Sequence, residues 1–285
     1  MSENRASILL FLTAFIWGMS FVAQSVSSDL VGPFFFNGSR MLLGSLVLLP
    51  FVKNSLKDKE YRKKCMRKGI VLAFLLSLAS MLQQIGISYS TAGKGGFITS
   101  LYVVIVPFIL VLRKVKIEKK TWVSAAIALL GMYLLCIKSG FSIGKGDIYL
   151  LLCSVFFAFH IIALENYTKD TGAVEMSFFQ FLFSSAILLF LFPFFESVDA
   201  ESIKKASVSI IYAGAFSCGI AYTLQAVSQK YVKSTRATLI LSLESVFSAI
   251  GGALILGQYM SAREIAGAAL VFLAVIISQI RIQIS

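Results

Sequence analysis

The chain has 285 residues, of which 58% are hydrophobic and only 14% are charged, and its mean hydropathy is +0.84. Soluble domains carry about 25% charged residues, so this composition excludes a soluble protein and predicts an integral membrane protein. The net charge of +12 does not indicate nucleic-acid binding, because the basic residues lie in short breaks between apolar runs, mainly 53–68 and 113–120. They form no basic face interleaved with aromatic residues.

The cysteine and histidine content argues against metal chemistry. The four cysteines form no CxxC or metal-ligand spacing, three of them lie in apolar runs, and there is a single histidine. Cysteines in such runs usually pack as small hydrophobic residues. We therefore expect neither a metal nor another cofactor.

Apolar stretches of about twenty residues, the length that crosses a bilayer, recur along the whole chain. The first follows a short polar segment like a signal peptide, but its length and the presence of Trp17 and Gln24 favour a retained helix. Ten spans are predicted, at 6–26, 33–52, 69–89, 95–112, 121–138, 147–165, 174–194, 206–227, 235–257 and 264–282. The predicted fold class is an all-α integral membrane protein with ten transmembrane helices and short connections.

The distribution of Lys and Arg predicts the orientation. With the N-terminus in the cytoplasm, 19 of these residues fall on the cytoplasmic side and six on the other, while Arg40 lies inside the second span. Cytoplasmic loops of membrane proteins are enriched in basic residues. We therefore expect a multi-pass protein with both termini in the cytoplasm.

The chain contains an internal repeat with an offset of 142 residues. Segment 79–104 aligns with segment 221–246, and the alignment pairs several polar positions: Gln83/Gln225, Tyr89/Tyr231 and Lys94/Arg236. The repeat predicts two five-helix halves, 1–142 and 143–285. Because five is odd, the second half enters the membrane from the opposite side, and the two halves are predicted to be inverted. Secondary transporters with inverted repeats bind their substrate between the repeats, near the bilayer midplane.

Four motifs resemble the ten-helix EamA-type branch of the drug/metabolite transporter superfamily. They are IWGMSFVAQ (16–24), RMLLGSLVLLP (40–50), GKGGFITSLYVVIVP (93–107) and AYTLQAVSQKYVKSTRATLILSLESVFSAIGGALILGQ (221–258). The resemblance implies a monomeric carrier with a central cavity built from helices 1–4 and 6–9, while helices 5 and 10 pack outside. It also implies transport of amino acids, amphipathic metabolites or drugs without ATP, and a bacterial plasma membrane. The family commonly has a proline after the glutamate of helix nine and an acidic residue after the final Leu-Gly, where this chain has Ser245 and Gln258.

Glu244 is the main candidate for chemistry. It lies about 12 Å along the predicted ninth helix from Arg236, and a carboxylate inside a membrane span is costly enough to suggest a function. Its repeat equivalent is Tyr102. Glu244 is predicted to bind a cationic part of the substrate, or a proton exchanged for it. The alternative is a hydrogen bond that only holds helices together.

Five further residues are candidate ligands for a substrate: Gln83, Gln225, Tyr222, Trp17 and His160. The amides offer both donors and acceptors, which suit a zwitterion or an amide-bearing solute, and His160 could relay protons near neutral pH. Each has a structural alternative, namely packing between helices or an ordinary hydrogen bond. Together with Glu244 and Tyr102 they form the predicted cavity set.

Lys94 and Arg236 each open a predicted helix, at opposite ends of the membrane. They are candidates for an entrance that attracts a carboxylate or for a gate closed by ion pairs. Arg236 is also explained by the bias of basic residues toward the cytoplasm, whereas Lys94 is not.

The leading interpretation is a secondary active transporter, more specifically an exporter, of small polar or amphipathic metabolites such as amino acids and amines, with a proton as candidate coupling ion. A nucleotide-sugar or sugar-phosphate antiporter is an alternative, although it would need more than one cation in the cavity. A membrane enzyme acting on lipid or a channel are alternatives of other classes. The chain carries neither a Ser/His/Asp spacing nor an HExxH motif, which argues against an enzyme.

Overall fold

A computed structural model describes residues 1–136, 144–257 and 261–279. Within these ranges every regular element is a helix. Eight helices are long and apolar enough to cross a membrane: Glu3–Ser27, Pro33–Val52, Lys59–Ser88, Ala92–Leu112, Lys145–Tyr167, Ala173–Phe195, Ala200–Ser228 and Ser234–Leu256. The prediction of an all-α membrane protein is confirmed.

The helices are numbered in chain order. They are α1 (Glu3–Ser27), α2 (Pro33–Val52), α3 (Lys59–Ser88), α4 (Ala92–Thr99), α5 (Tyr102–Leu112), α6 (Lys119–Cys136), α7 (Lys145–Tyr167), α8 (Ala173–Phe195), α9 (Ala200–Ile211), α10 (Thr223–Ser228), α11 (Ser234–Leu241), α12 (Glu244–Leu256) and α13 (Ala262–Gln279). A π-helical stretch, Tyr212–Tyr222, joins α9 to α10 into one long helix.

The fifth and tenth predicted spans correspond to α6 and α13, which are not among the eight candidates. These two helices pack closely against each other at Gly131 and Gly267, where an added Cβ would meet the backbone of the other helix. The predicted spans 121–138 and 264–282 both extend into residues that the structure does not describe. Gln258, where the sequence departs from the family's acidic residue, also lies outside the described residues. Ten spans therefore remain a prediction.

Two of the predicted spans are broken in the middle. The fourth is split between α4 and α5 at Ser100 and Leu101, and the ninth is split between α11 and α12 at Ser242 and Leu243. No sequence signal predicted these breaks. The backbone tightens to i→i+3 bonds at each, for example Leu101 N to Ile98 O at 3.2 Å and Leu243 N to Ile240 O at 3.2 Å.

The break in the ninth span forms without a proline. The Ser242 hydroxyl donates to the Leu239 carbonyl at 2.7 Å, and the Ser245 hydroxyl donates to the Ser242 carbonyl at 2.7 Å. Such bonds from serine back to the preceding turn compete with the helical ladder and bend helices. Two such serines therefore lie at the break, where the family commonly has a proline.

Contacts between distant segments mark the two ends of the bundle. At the N-terminal end, α1 begins beside Arg236 of α11, and the start of α3 contacts the turn before α8 through Tyr61 and Gly172. At the opposite end, α3 finishes against the start of α7, where Gly86 and Gly146 allow close backbone approach. The helix breaks lie between these ends.

Candidate functional site

A cavity lies between the helices at the level of the two breaks. Its volume, as room for the centres of water-sized molecules, is about 30 Å³, and the wider space between its walls, which includes open solvent, is about 420 Å³. Its walls come from α1, α2, α3, α4, α5, α7, the π-helical stretch, α10 and α12. All seven residues of the predicted cavity set line it: Trp17, Gln83, Tyr102, His160, Tyr222, Gln225 and Glu244. That they bind a substrate remains a prediction.

Glu244 is the first residue of α12 and is only 3% exposed. Its Oε1 accepts hydrogen bonds from the Tyr102 hydroxyl at 2.7 Å and from the Ser100 hydroxyl at 3.2 Å. The start of a helix favours negative charge, because unpaired amide groups and the helix dipole point there. Both bonds end at Oε1, and Oε2 accepts no hydrogen bond from the described residues. The carboxylate therefore joins two helices and still has one oxygen available to an occupant of the cavity.

The partner of Glu244 is its own repeat equivalent. Tyr102 opens α5 and Glu244 opens α12, and the two residues are separated by the repeat offset of 142. The sequence predicted that they lie at equivalent depths, but it did not predict that they touch. The contact brings the two broken spans together at their breaks.

Aromatic rings form one side of the cavity around Tyr222. The Trp17 ring centroid lies 4.5 Å from that of Tyr222, and the Phe181 ring approaches it edge-on at 5.5 Å. The His160 ring meets Tyr222 at 6.2 Å. These rings form a rigid apolar wall with polar edges.

The hydrogen bonds of His160 and the two glutamines differ. His160 Nε2 lies 2.8 Å from Gln180 Oε1, a geometry in which a neutral imidazole donates from Nε2. Gln180 on α8 was not predicted and supports His160 from behind. Gln225 is fully buried, and neither its Oε1 nor its Nε2 has a hydrogen-bond partner among the described residues. Gln83 on α3 faces the same cavity from the other half of the chain.

Arg40 is a cavity residue to which the sequence assigned no function. It is 2% exposed on α2, and it lines the cavity together with Glu244. Its Nε donates to Asn37 Oδ1 at 2.9 Å, and its guanidinium carbon lies 5.4 Å from the Phe36 ring centroid. Within the described ranges no acidic group comes within 4.0 Å of it. Its position in the middle of an apolar span was the signal that could have identified it.

The two candidate gate residues form ion pairs at opposite ends of the bundle. Lys94 Nζ lies 2.7 Å from Asp147 Oδ2 in the first turn of α7. Arg236 pairs with Glu3, the first residue of α1. Each pair joins residues from different halves of the chain. Neither acidic partner was predicted, because such contacts between distant segments leave no local pattern.

Glu165 lies near the end of α7. In the structure its Oε2 accepts from the Ser234 backbone N–H at 2.8 Å and from the Ser234 hydroxyl. Glu165 therefore caps α11 and connects α7 to the ninth span.

Comparison with known proteins agrees with this architecture. The model of the EamA-like transporter family matches twice, at residues 4–137 and 144–279. A protein of Archaeoglobus fulgidus named as an uncharacterized transporter is 33% identical over 282 residues, which cover 97% of this chain and 86% of that protein. A protein of Chlamydia muridarum named as an S-adenosylmethionine/S-adenosylhomocysteine transporter is 34% identical over 101 residues, covering 34% of this chain and 30% of that one.

A solved crystal structure shares the fold. It superposes with a TM-score of 0.77, covering 98% of this chain and 97% of the other, at 16% sequence identity. At this identity the likeness concerns the fold alone.

Proposed function

Because the chain belongs to the EamA-like transporter family, as its motifs predicted, we propose that it is a secondary active transporter of small polar or amphipathic metabolites. Amino acids and amines are the proposed cargo, and a proton is the proposed coupling ion. The observation that carries the proposal is the cavity at the level of the two helix breaks, lined by both halves and holding a carboxylate with one unused oxygen. Broken helices around a midplane site are typical of secondary transporters.

The proposed mechanism is alternating access between two inverted five-helix halves. Three observations support the inversion. The helices α4 and α11 start 142 residues apart, the helices α5 and α12 also start 142 residues apart, and Tyr102 contacts Glu244. A residue near a two-fold axis contacts its own equivalent, which is the relation of this pair. With α6 and α13 as the two outer spans, the proposed count is ten.

The ion pairs at the two ends are proposed to act as gates. Lys94–Asp147 would hold the end opposite the N-terminus closed, and Arg236–Glu3 would hold the N-terminal end closed. Breaking one pair while the other remains formed would open the cavity to one side only. Alternating access requires at least two such states, one open to each side of the membrane.

The proposed location is a bacterial plasma membrane, with both termini in the cytoplasm and export as the physiological direction. The orientation rests on the excess of Lys and Arg in alternate connections. The proposed direction of transport and the proposed membrane rest on the family resemblance. The protein is also proposed to be a monomer on the same ground. The relative named for S-adenosylmethionine and S-adenosylhomocysteine supports cargo that contains an amino-acid group.

Transport by the purified protein tests the proposal. The protein is reconstituted in liposomes, and uptake of labelled amino acids, amines, carboxylates and sugars is measured with and without an imposed proton gradient. We expect saturable flux of at least one amino acid or amine, and a change in its steady state when the gradient is collapsed. No flux of any solute, together with turnover of a lipid, would instead support an enzyme.

A further inference from the structure

Arg40 is a buried cation whose charge is not matched by the protein around it. Burial of a guanidinium costs several kcal/mol unless an anion or a full set of acceptors compensates it. The Arg40 side chain bonds to Asn37 through Nε and lies beside the Phe36 ring. These neutral contacts orient the group but do not neutralise it. The planar fork of its remaining N–H groups suits a carboxylate or phosphate.

Glu244 is the opposite charge at the same cavity. Its Oε1 is held by Tyr102 and Ser100, while Oε2 is not engaged by the described part of the chain. Within that part no direct ion pair joins Glu244 to Arg40. Arg40, Tyr222 and Glu244 line the same cavity, so the two charges belong to one site without satisfying each other.

The neutral groups between these charges are also unused. The Gln225 amide, Trp17 Nε1, the Ser20 hydroxyl and His160 Nδ1 have no hydrogen-bond partner among the described residues, and all four residues line the cavity. A buried polar group without a partner destabilises the protein, because it has lost its water and gained no hydrogen bond. Their presence in the wall of one cavity favours an occupant that offers both donors and acceptors.

We propose that Arg40 and Glu244 are the two poles of one recognition site, which selects a solute carrying an oxyanion and an ammonium group in the same molecule. Arg40 binds the oxyanion, a carboxylate or a phosphate, and Glu244 Oε2 binds the ammonium group. Tyr222, Trp17 and Gln225 contact the part of the solute between or beside its charges. The inference rests on the proposed transport function and narrows its substrate class to zwitterions.

A zwitterion fits this site better than a solute with one charge. An amine would pair with Glu244 and leave Arg40 uncompensated, and a carboxylate would leave Glu244 without its cation. Leaving one member of a desolvated charge pair unmatched is strongly unfavourable. The pole left without a partner thus lowers the affinity of the site for singly charged competitors.

The experiment compares a zwitterion with its two singly charged analogues. Wild-type proteoliposomes are first screened with the twenty amino acids, 4-aminobutyrate and phosphoethanolamine, and the best amino acid is then compared with its carboxamide and its N-acetyl derivative. Each analogue is expected to be transported about 10- to 100-fold less efficiently than the parent, the range that loss of one charged hydrogen bond produces. Phosphoethanolamine and the amino acids distinguish a phosphate from a carboxylate at Arg40.

Variants then assign each charge to its pole. In Arg40→Gln, parent flux is expected to fall, and the carboxamide is expected to be transported about as well as the parent. In Glu244→Gln, the same levelling is expected for the N-acetyl derivative instead. Arg40→Lys keeps the cation without the fork, and it is expected to retain discrimination against the carboxamide. A uniform loss for all solutes in Arg40→Gln, with unchanged ratios, would show that Arg40 only supports the fold and would overturn the proposal.

The wild-type comparison requires no variant to fold. Transport of the carboxamide or of simple amines as well as any zwitterion would overturn the two-pole site while leaving the proposed transport function intact. The same holds if only sugars or carboxylates are transported. Absence of flux for every solute in the wider screen would overturn the transport function itself.

Discussion

At the scale of single residues, the contact between Tyr102 and Glu244 holds the carboxylate of the cavity in place. The phenol donates the shorter of the two bonds that hold Oε1, at 2.7 Å, and Oε2 accepts no bond from the described residues. The contact also shows that the structural and functional explanations of Glu244 are compatible. One oxygen joins two helices, and the other is available for a ligand.

Tyr102→Phe tests the orientation of this carboxylate. Loss of a hydrogen bond to a charged group is worth about 1.5–3 kcal/mol, so we expect the apparent affinity for the transported solute to fall about tenfold or more. Measurement of KM and maximal flux in liposomes checks this. Tyr231→Phe is the matched control, because Tyr231 is exposed in the connection before α11. Equal KM values in wild type and Tyr102→Phe would contradict the assignment.

Residue-scale prediction from the sequence succeeded where a single side chain was costly in its own span. Glu244 and His160 stood out because charged and ionisable groups are rare in apolar segments. Arg40 had the same signal, but its position beside the cavity depends on how α2 packs, which no local pattern reveals. The partners Asp147, Glu3 and Gln180 could not be predicted either, since they lie far along the chain from the groups they contact.

At the scale of secondary-structure elements, the broken fourth and ninth spans place the site. Each break turns one span into two shorter helices, and the second helix of the ninth span begins at Glu244. Hydropathy measures length and apolar content, and a break of two residues changes neither. The sequence therefore predicted the position of these spans but not their division. The repeat alignment was the only available hint, because it paired the two regions.

Ser245→Pro tests how the ninth span is broken. Ser245 is the second residue of α12, and its N–H makes only a 3.2 Å bond across the break to the Ser242 carbonyl, so proline removes no bond within α12 itself. We expect this variant to keep its flux and to change the free energy of unfolding by no more than about 1 kcal/mol, the net worth of one such bond. Ile250→Pro, in the interior of α12, is expected to lose about 3 kcal/mol or more. Thermal unfolding in detergent compares the two, and equal losses would show that α12 does not begin at this point.

Ion pairs between side chains hold the connection between α7 and α8 to α3. Asp170 pairs with Lys64 at 3.0 Å and with Lys68, and these hydrogen bonds lower the pKa of Asp170 from its usual 3.8 to about 2. A carboxyl whose pKa is lower in the folded state stabilises the protein above its unfolded pKa, and this contribution is lost as the pH falls toward 2. Because the pair is half exposed, the effect is at most about 1 kcal/mol.

Asp170→Asn is therefore expected to lower the unfolding temperature slightly at neutral pH, and the difference from wild type should vanish as the pH falls from about 4 to about 2. Unfolding temperatures measured across this range in low salt provide the test. Asp29→Asn is the control for removal of an acid, because none of the ion pairs among the described residues involves Asp29. A difference that persists unchanged at pH 2 would contradict the role of the ion pairs.

At the scale of the whole molecule, the two ion pairs lie at opposite ends of the bundle and join the two halves of the chain. Lys94 and Arg236 are repeat equivalents, and each pairs with an acid in the first turn of the first helix of the other half. The sequence predicted both cations and their equivalence. It did not reveal their acidic partners, because each partner lies in the other half of the chain and does not align with an identical residue in the repeat.

Removal of one ion pair should bias access to one side. Ser20 lines the cavity, and a Ser20→Cys variant without the native cysteines reports its accessibility. Adding Asp147→Asn is expected to increase labelling by a membrane-impermeant thiol reagent from the face that carries Lys94. Adding Glu3→Gln is expected to increase labelling from the face that carries Arg236. Equal effects from both faces would contradict a gate at each end.

The cavity around Glu244 is the proposed transport site. The most direct measurement is solute counterflow in liposomes for wild type, Glu244→Gln and the matched control Glu201→Gln, whose acid lies on the surface beside Lys205. We predict that Glu244→Gln folds normally, transports the parent solute much more slowly than wild type and loses its dependence on the proton gradient, while the control behaves as wild type. Wild-type flux with wild-type pH dependence in Glu244→Gln would contradict the claim.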